Sequence, residues 1–169
     1  MRPSIAWEAS EADKAQAYQE LREELRVVLE DESDWVAGMA TAVCELHHRF
    51  SYFHWTGFYR VVAPELLVIG PYQGGHGCLR IPFSRGVCGA CATRRETILV
   101  DDVHAFAGHI ACSTTTQSEI VVPVIAPNSN LLAVFDVDSD RPAAFSHVDR
   151  FGLERIMEDL GERYGHVSS

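Results

Sequence analysis

Residues 52–139 are cut into short apolar runs that suit strands and nothing longer. HWTGFYRVV, ELLVIG and CLRIPF are rich in aromatic and β-branched residues and are separated by Pro and Gly, the pattern of extended segments joined by turns. Residues 97–100, EIVVPVIA and LLAVFDVDS continue it, the last two joined by the turn-prone PNSN. The flanks have a different rhythm. Tyr18, Leu21, Leu25 and Val28 recur at helical steps, and Ser33 or Asp34 can cap a second helix with Trp35, Met39, Val43 and Leu46 on one face. A short helix fits residues 87–95, and Ser146 opens a closing helix through Phe151, Ile156 and Leu160. Strands grouped in the middle with helices at both ends predict an α+β domain with a largely antiparallel sheet. A chain of 169 residues can bury one such core without staples.

Charge narrows the class of partner. The chain carries 24 Asp+Glu against 14 Lys+Arg, a net charge of -10. That excess argues against nucleic-acid binding, which needs basic clusters to displace counterions. No stretch has the length and uninterrupted apolarity of a membrane helix, and the start MRPSIAWEASEADK lacks the apolar segment of a secretory signal. Five cysteines without an export signal fit free thiols in a reducing cytoplasm better than a disulfide scaffold.

The residues able to do chemistry lie near the turns. Alternation along LLAVFDVDS puts Asp136 and Asp138 on one face of the strand and Phe135 and Val137 on the other. Two close, partly desolvated carboxylates repel, so one would titrate at raised pH and could serve as a general acid. The same pair also fits a solvated strand end, and Glu119 also fits a solvated strand start. Trp55 and Tyr59 share a strand face, either as ordinary core or as the lining of a pocket for a cation.

The thiols allow several readings. Cys88 and Cys91 make a Cys-x-x-Cys step, which invites a thioredoxin-type site, although no βαβ unit precedes it. His104, His109, Cys112 and that pair could hold zinc, although their spacing matches no standard finger. Cys44, between Val43 and Leu46, is expected to be a buried small hydrophobe. The aperiodic stretch DDVHAFAGHIACSTTTQS around Cys112 is of a length that usually serves function.

Taken together, GPYQG, GHGCLRIPFSRGVCGACA, ETILVDDVHAFAGHIACS, SEIVVPVI and LLAVFDVDS resemble the free methionine-(R)-sulfoxide reductases, stand-alone GAF-domain enzymes. HWTGFYRV and AAFSHVDRFGLERI extend the resemblance from near Tyr18 to the last helix. It implies a six-stranded, mainly antiparallel sheet with helices packed against it. The single GAF domain would span residues 16–165, after an N-terminal extension of residues 1–15. It implies reduction of the free amino acid methionine sulfoxide, R epimer, with no bound cofactor or metal, thioredoxin as external reductant, and a homodimer as a possible assembly.

Residue by residue, Cys112 matches the attacking thiol, Cys78 the cysteine that closes a disulfide with it, and Cys88 a thiol used in recycling. Glu119, Asp136 and Asp138 match the carboxylates that bind the substrate's ammonium or sulfoxide, and Trp55 and Tyr59 the aromatics around its methyl-sulfur end. Departures are Cys91, where a small residue is expected, Ser113, where an acidic one is common, and the more neutral TTTQ. The alternative within the same fold is a non-catalytic GAF module that binds a small ligand or senses redox state through Cys78 and Cys112.

Overall fold

The computed structural model describes residues 3–107 and 115–166. Helix α1 spans Glu11–Val28 and α2 spans Trp35–Arg49. Strands β1 (Trp55–Ala63), β2 (Leu66–Gln73) and β3 (Arg80–Pro82) follow, then helix α3 (Gly86–Arg94) and strand β4 (Ile98–Val100). A 3-10 turn at Val103–Ala105 precedes β5 (Ser118–Ile125) and β6 (Leu131–Ser139), and α4 (His147–Tyr164) closes the chain. The strands form one six-stranded sheet in the order β3-β2-β1-β6-β5-β4, antiparallel at every pairing. The expected α+β architecture and antiparallel sheet are therefore present.

Local chemistry explains the helix ends. The Ser10 hydroxyl accepts from the Asp13 amide, and the Asp34 carboxylate accepts from the amides of Val36 and Ala37. Ser146 caps α4 in a reciprocal box with Asp149. The periodic residues of α1 run inward as Leu21 and Leu25, but Leu29 rather than Val28 continues the stripe, and Val28 is 65% exposed. A step of four keeps a residue over the previous turn, whereas position 28 has rotated off the seam. Phe151 likewise points outward, and Leu153, Ile156, Met157 and Leu160 carry the buried face of α4. Ahead of α1, Ile5 bridges Phe50 in parallel fashion and packs with Trp7 against the core.

The sheet has two unlike faces. Phe58, Ile120, Val122, Phe135 and Val137 project to one side, where α1, α2 and α4 cover them in the larger core. Tyr59, Leu67, Val121 and Val134 project to the other side, where α3 seats Val87, Cys88, Cys91 and Ala92 in a smaller core. Gly152 lets α4 pass close to α1, because a Cβ there would overlap the ring of Tyr18.

A buried polar knot fixes the larger face. Asp149 is wholly buried and accepts from Tyr18 Oη at 2.8 Å, Tyr52 Oη at 2.5 Å and the Ser146 amide at 2.8 Å. It thereby joins α1, the approach to β1 and the start of α4. Replacing Asp149 with Ala strands two buried hydroxyls and an amide. The expected result in urea titration is a loss of about 3 kcal/mol or more, with Asp149→Asn losing less. An unchanged midpoint for the Ala variant would show that the knot is incidental.

Candidate functional site

The second face of the sheet collects the acidic and aromatic residues through strand register. On β6, Asp138 stands opposite Trp55 of β1 on one side and Glu119 of β5 on the other. One pleat along, Asp136 stands opposite Gly57 and Val121, and then Val134 opposite Tyr59. Directly paired side chains in such a sheet have Cβ atoms about 5 Å apart. Three neighbouring strands therefore place Glu119, Asp138 and Trp55 in a single row, with Asp136 and Tyr59 beside it.

An aromatic wall bounds this row. The Trp55 ring stacks on Tyr59 at 5.8 Å and on Tyr72 at 5.5 Å, with interplanar angles of 23° and 18°. Its Nε1 donates to the Gly75 carbonyl at 3.0 Å, which fixes the indole's orientation. Gly57 makes the stack possible, since a Cβ there would lie 2.6 Å from the Trp55 ring. Tyr72 and Gly57 were not legible as site residues from periodicity. Tyr72 lies in the GPYQG string, and its neighbours are set by the β1–β2 pairing.

The carboxyls are not solvated strand ends. Glu119 is 6% and Asp136 5% exposed, and Asp138 is partly buried. Burial pushes all three above the ordinary carboxylate range, and the charge of Asp136 adds to the rise at Glu119 and Asp138. Asp136 titrates at about 7, raised by burial and held back by hydrogen bonds from the Cys88 thiol and the Glu119 carboxyl. Asp136 Oδ1 has no hydrogen-bond partner among the described residues. Burial, and then Asp136, likewise keep the Tyr59 phenol protonated. Near neutrality the cluster holds protons at the sheet face and offers an unmatched acceptor.

The cysteines separate sharply. Cys78 is partly exposed, packs against the smaller core and is disulfide-bonded, whereas Cys44, Cys88 and Cys91 are free. Cys88 and Cys91 are buried on α3, and Cys91 Sγ donates to the Val121 carbonyl at 3.6 Å. Burial and the charges of Asp136 and Glu119 push both thiols well up. A thioredoxin-type thiolate needs the opposite electrostatics, so the Cys-x-x-Cys step is not such a site.

Cys44 is exposed rather than buried, a correction to its expected place. Gly38, Met39, Ala42, Val43 and Leu46 fill the inner face of α2, and the turn of the helix carries position 44 outward beside His48. His104 is also exposed, so it does not join the buried Cys88–Cys91 pair as zinc ligands would. Cys112, with His109 and Ser113, lies outside the described residues.

The family model described as GAF domain matches residues 19–162. The chain belongs to the GAF-domain family. Within that family it is 35% identical to the free methionine-R-sulfoxide reductase of Escherichia coli over 148 residues, 88% of each chain. The solved structure of free methionine-R-sulfoxide reductase from Neisseria meningitidis, in complex with its substrate, superposes with a TM-score of 0.86 at 39% identity. That match covers 97% of this GAF chain and 96% of the other. A putative GAF sensor protein from Burkholderia vietnamiensis is also similar, at 42% identity and a TM-score of 0.86, with 92% and 96% of the chains covered. Among the described residues no helix is long and apolar enough to cross a membrane.

Proposed function

We propose that this protein reduces free methionine-(R)-sulfoxide to methionine. The observation that carries the reading is the Glu119–Asp136–Asp138 cluster, its first two members buried and the third partly so, on the same sheet face as the Trp55–Tyr59 stack. A small zwitterion with an ammonium at one end and a methyl sulfoxide at the other complements both halves. The ammonium supplies charge to Asp136 and its neighbours, while the indole and phenol faces accept the methyl-sulfur end. Peptide-bound methionine sulfoxide lacks that ammonium, so the carboxyls favour the free amino acid.

The chemistry needs a proton as much as a nucleophile. Cys112 attacks the sulfoxide sulfur, and a carboxyl protonated near neutrality hydrogen-bonds the oxygen as negative charge develops there. Methionine leaves, and the oxygen remains on Cys112 as a sulfenic acid. Condensation with the Cys78 thiol forms a disulfide and releases water, keeping Cys112 below the irreversible oxidation states. A dithiol such as thioredoxin returns two electrons by exchange and restores both thiols. Cys88 serves recycling in this reading. Its thiol, raised by burial and by Asp136, exchanges slowly until a charge change loosens that hold.

The test is direct. Purified protein with dithiothreitol and an equal mixture of the two sulfur epimers of free L-methionine sulfoxide is expected to consume half of the substrate, the R epimer, and to release an equal amount of methionine. Sulfoxide in a blocked peptide is expected to persist. If the free substrate survives a fully reduced protein, the alternative of a non-catalytic GAF module takes its place. A Cys78→Ser variant is expected to complete one round of methionine formation yet cycle slowly with thioredoxin. Wild-type cycling would move the resolving role to Cys88 or Cys91.

A further inference from the structure

Cys88, Glu119 and Asp136 come from three separate elements, α3, β5 and β6. They nonetheless offer one sulfur and two carboxylate oxygens, all lying within 4.8 Å of one another. All three residues are buried, unlike the solvated acidic groups common on surfaces. A second observation points to a ligand: Asp136 is 5% exposed, and its Oδ1 has no hydrogen-bond partner among the described residues. In a tetrahedral zinc site the metal–ligand bonds imply ligand atoms roughly 3.3–3.7 Å apart. The present bound of 4.8 Å is wider than that, so the three ligand atoms would draw together on binding the ion. One thiolate with two carboxylates suits zinc or cobalt, whereas calcium and magnesium call for larger sets of oxygens.

We propose that the reduced, substrate-free protein binds a thiophilic divalent cation of the zinc class on Cys88 Sγ, Glu119 and Asp136, and that the ion excludes methionine sulfoxide. The ion is an inhibitor rather than a resident cofactor. The exclusion rests on the reading above, in which Glu119 and Asp136 hold the substrate's ammonium, because the ion would occupy and neutralise the same carboxylates. Binding changes no oxidation state. The metal–ligand bonds form as the Cys88 thiol, and whichever of Glu119 and Asp136 is protonated, release their protons to solvent, and chelation reverses the step. Turnover would then depend on free zinc as well as on reductant.

Cobalt(II) is the probe, since a thiolate ligand gives it sulfur-to-metal charge-transfer absorption. Cys44→Ser is the background, because the exposed Cys44 lies 3.9 Å from His48 Nδ1 and could take metal itself. The expected result is one cobalt per reduced chain with a charge-transfer band. The band is lost in Cys88→Ser, at least about tenfold weaker in Asp136→Asn, kept in Cys78→Ser, and displaced by free methionine sulfoxide. Failure of cobalt to bind at unit stoichiometry, or a band unchanged in Cys88→Ser, overturns the proposal. Turnover in chelator separates the two readings. Metal-free activity without cobalt binding removes only the metal site, and cobalt binding without metal-free activity removes the reductase and the exclusion of its substrate while keeping the site.

Discussion

Cys112→Ser is expected to lower consumption of free methionine-R-sulfoxide by about a thousandfold or more, while leaving the melting temperature near that of wild type. The reaction requires a sulfur nucleophile that can hold the sulfoxide oxygen and then pass it on as water. A serine hydroxyl is a weak nucleophile without an activating base and has no sulfenic state to resolve. The loss expected from removing a covalent nucleophile is at least of order 10^3 in kcat, since what remains is binding and polarisation. Single-turnover mixing with mass spectrometry gives the sharper readout. Wild type treated with one equivalent of substrate should gain a disulfide that includes Cys112, and the serine variant should gain none. Retained activity in the variant would move the nucleophile to another thiol. Cys88 is a poor replacement, buried beside two carboxyls that disfavour its thiolate.

The second large effect concerns Asp136, where activity and stability should move in opposite directions. Asn can neither donate an acidic proton nor pair with an ammonium, so Asp136→Asn is expected to lower kcat/KM by about 10^2–10^4. The same change should stabilise the substrate-free fold at high pH. An Asp in an unfolded chain titrates near about 4, whereas in the fold Asp136 titrates at about 7. Its contribution is therefore fully present below about pH 4 and lost as the pH rises through about 7. Over that window wild type gives up stability on the order of 3–4 kcal/mol that the Asn variant keeps. Melting curves at pH 5 and pH 8 check this: the variant's advantage should be larger at the higher pH. A gap independent of pH, or wild-type kcat/KM in the Asn variant, would remove Asp136 from its proposed role.

Much of this was legible in the chain because alternation reports faces. The inward Phe135 and Val137 and the opposite Asp136 and Asp138 followed from a period of two, as did the shared face of Trp55 and Tyr59. Alternation does not report what lies across a strand. The meeting of Glu119 with Asp138 depends on β5–β6 register, and Tyr72 reaches Trp55 only because β2 pairs with β1. Residue type favours a buried Cys44, but helical angle sets its direction and turns it away from the Met39–Val43–Leu46 face. The Asp149 knot was equally hidden, since its partners Tyr18 and Tyr52 lie 131 and 97 residues away. The division of roles among Cys112, Cys78 and Cys88 rests on resemblance, since no period or spacing distinguishes an attacking thiol from a resolving one.

The two-faced β6 strand has a consequence for how the chain reaches its fold. A slip of one residue against β1 or β5 would drive Asp136 and Asp138 under the three helices and turn Phe135 and Val137 toward the acidic row. Misaligned sheets would thus carry buried charge in the larger core and could not persist as rivals to the native pairing. The carboxyls assigned to substrate also proofread assembly, so their removal should leave a chain that misregisters more often even where its native state melts higher.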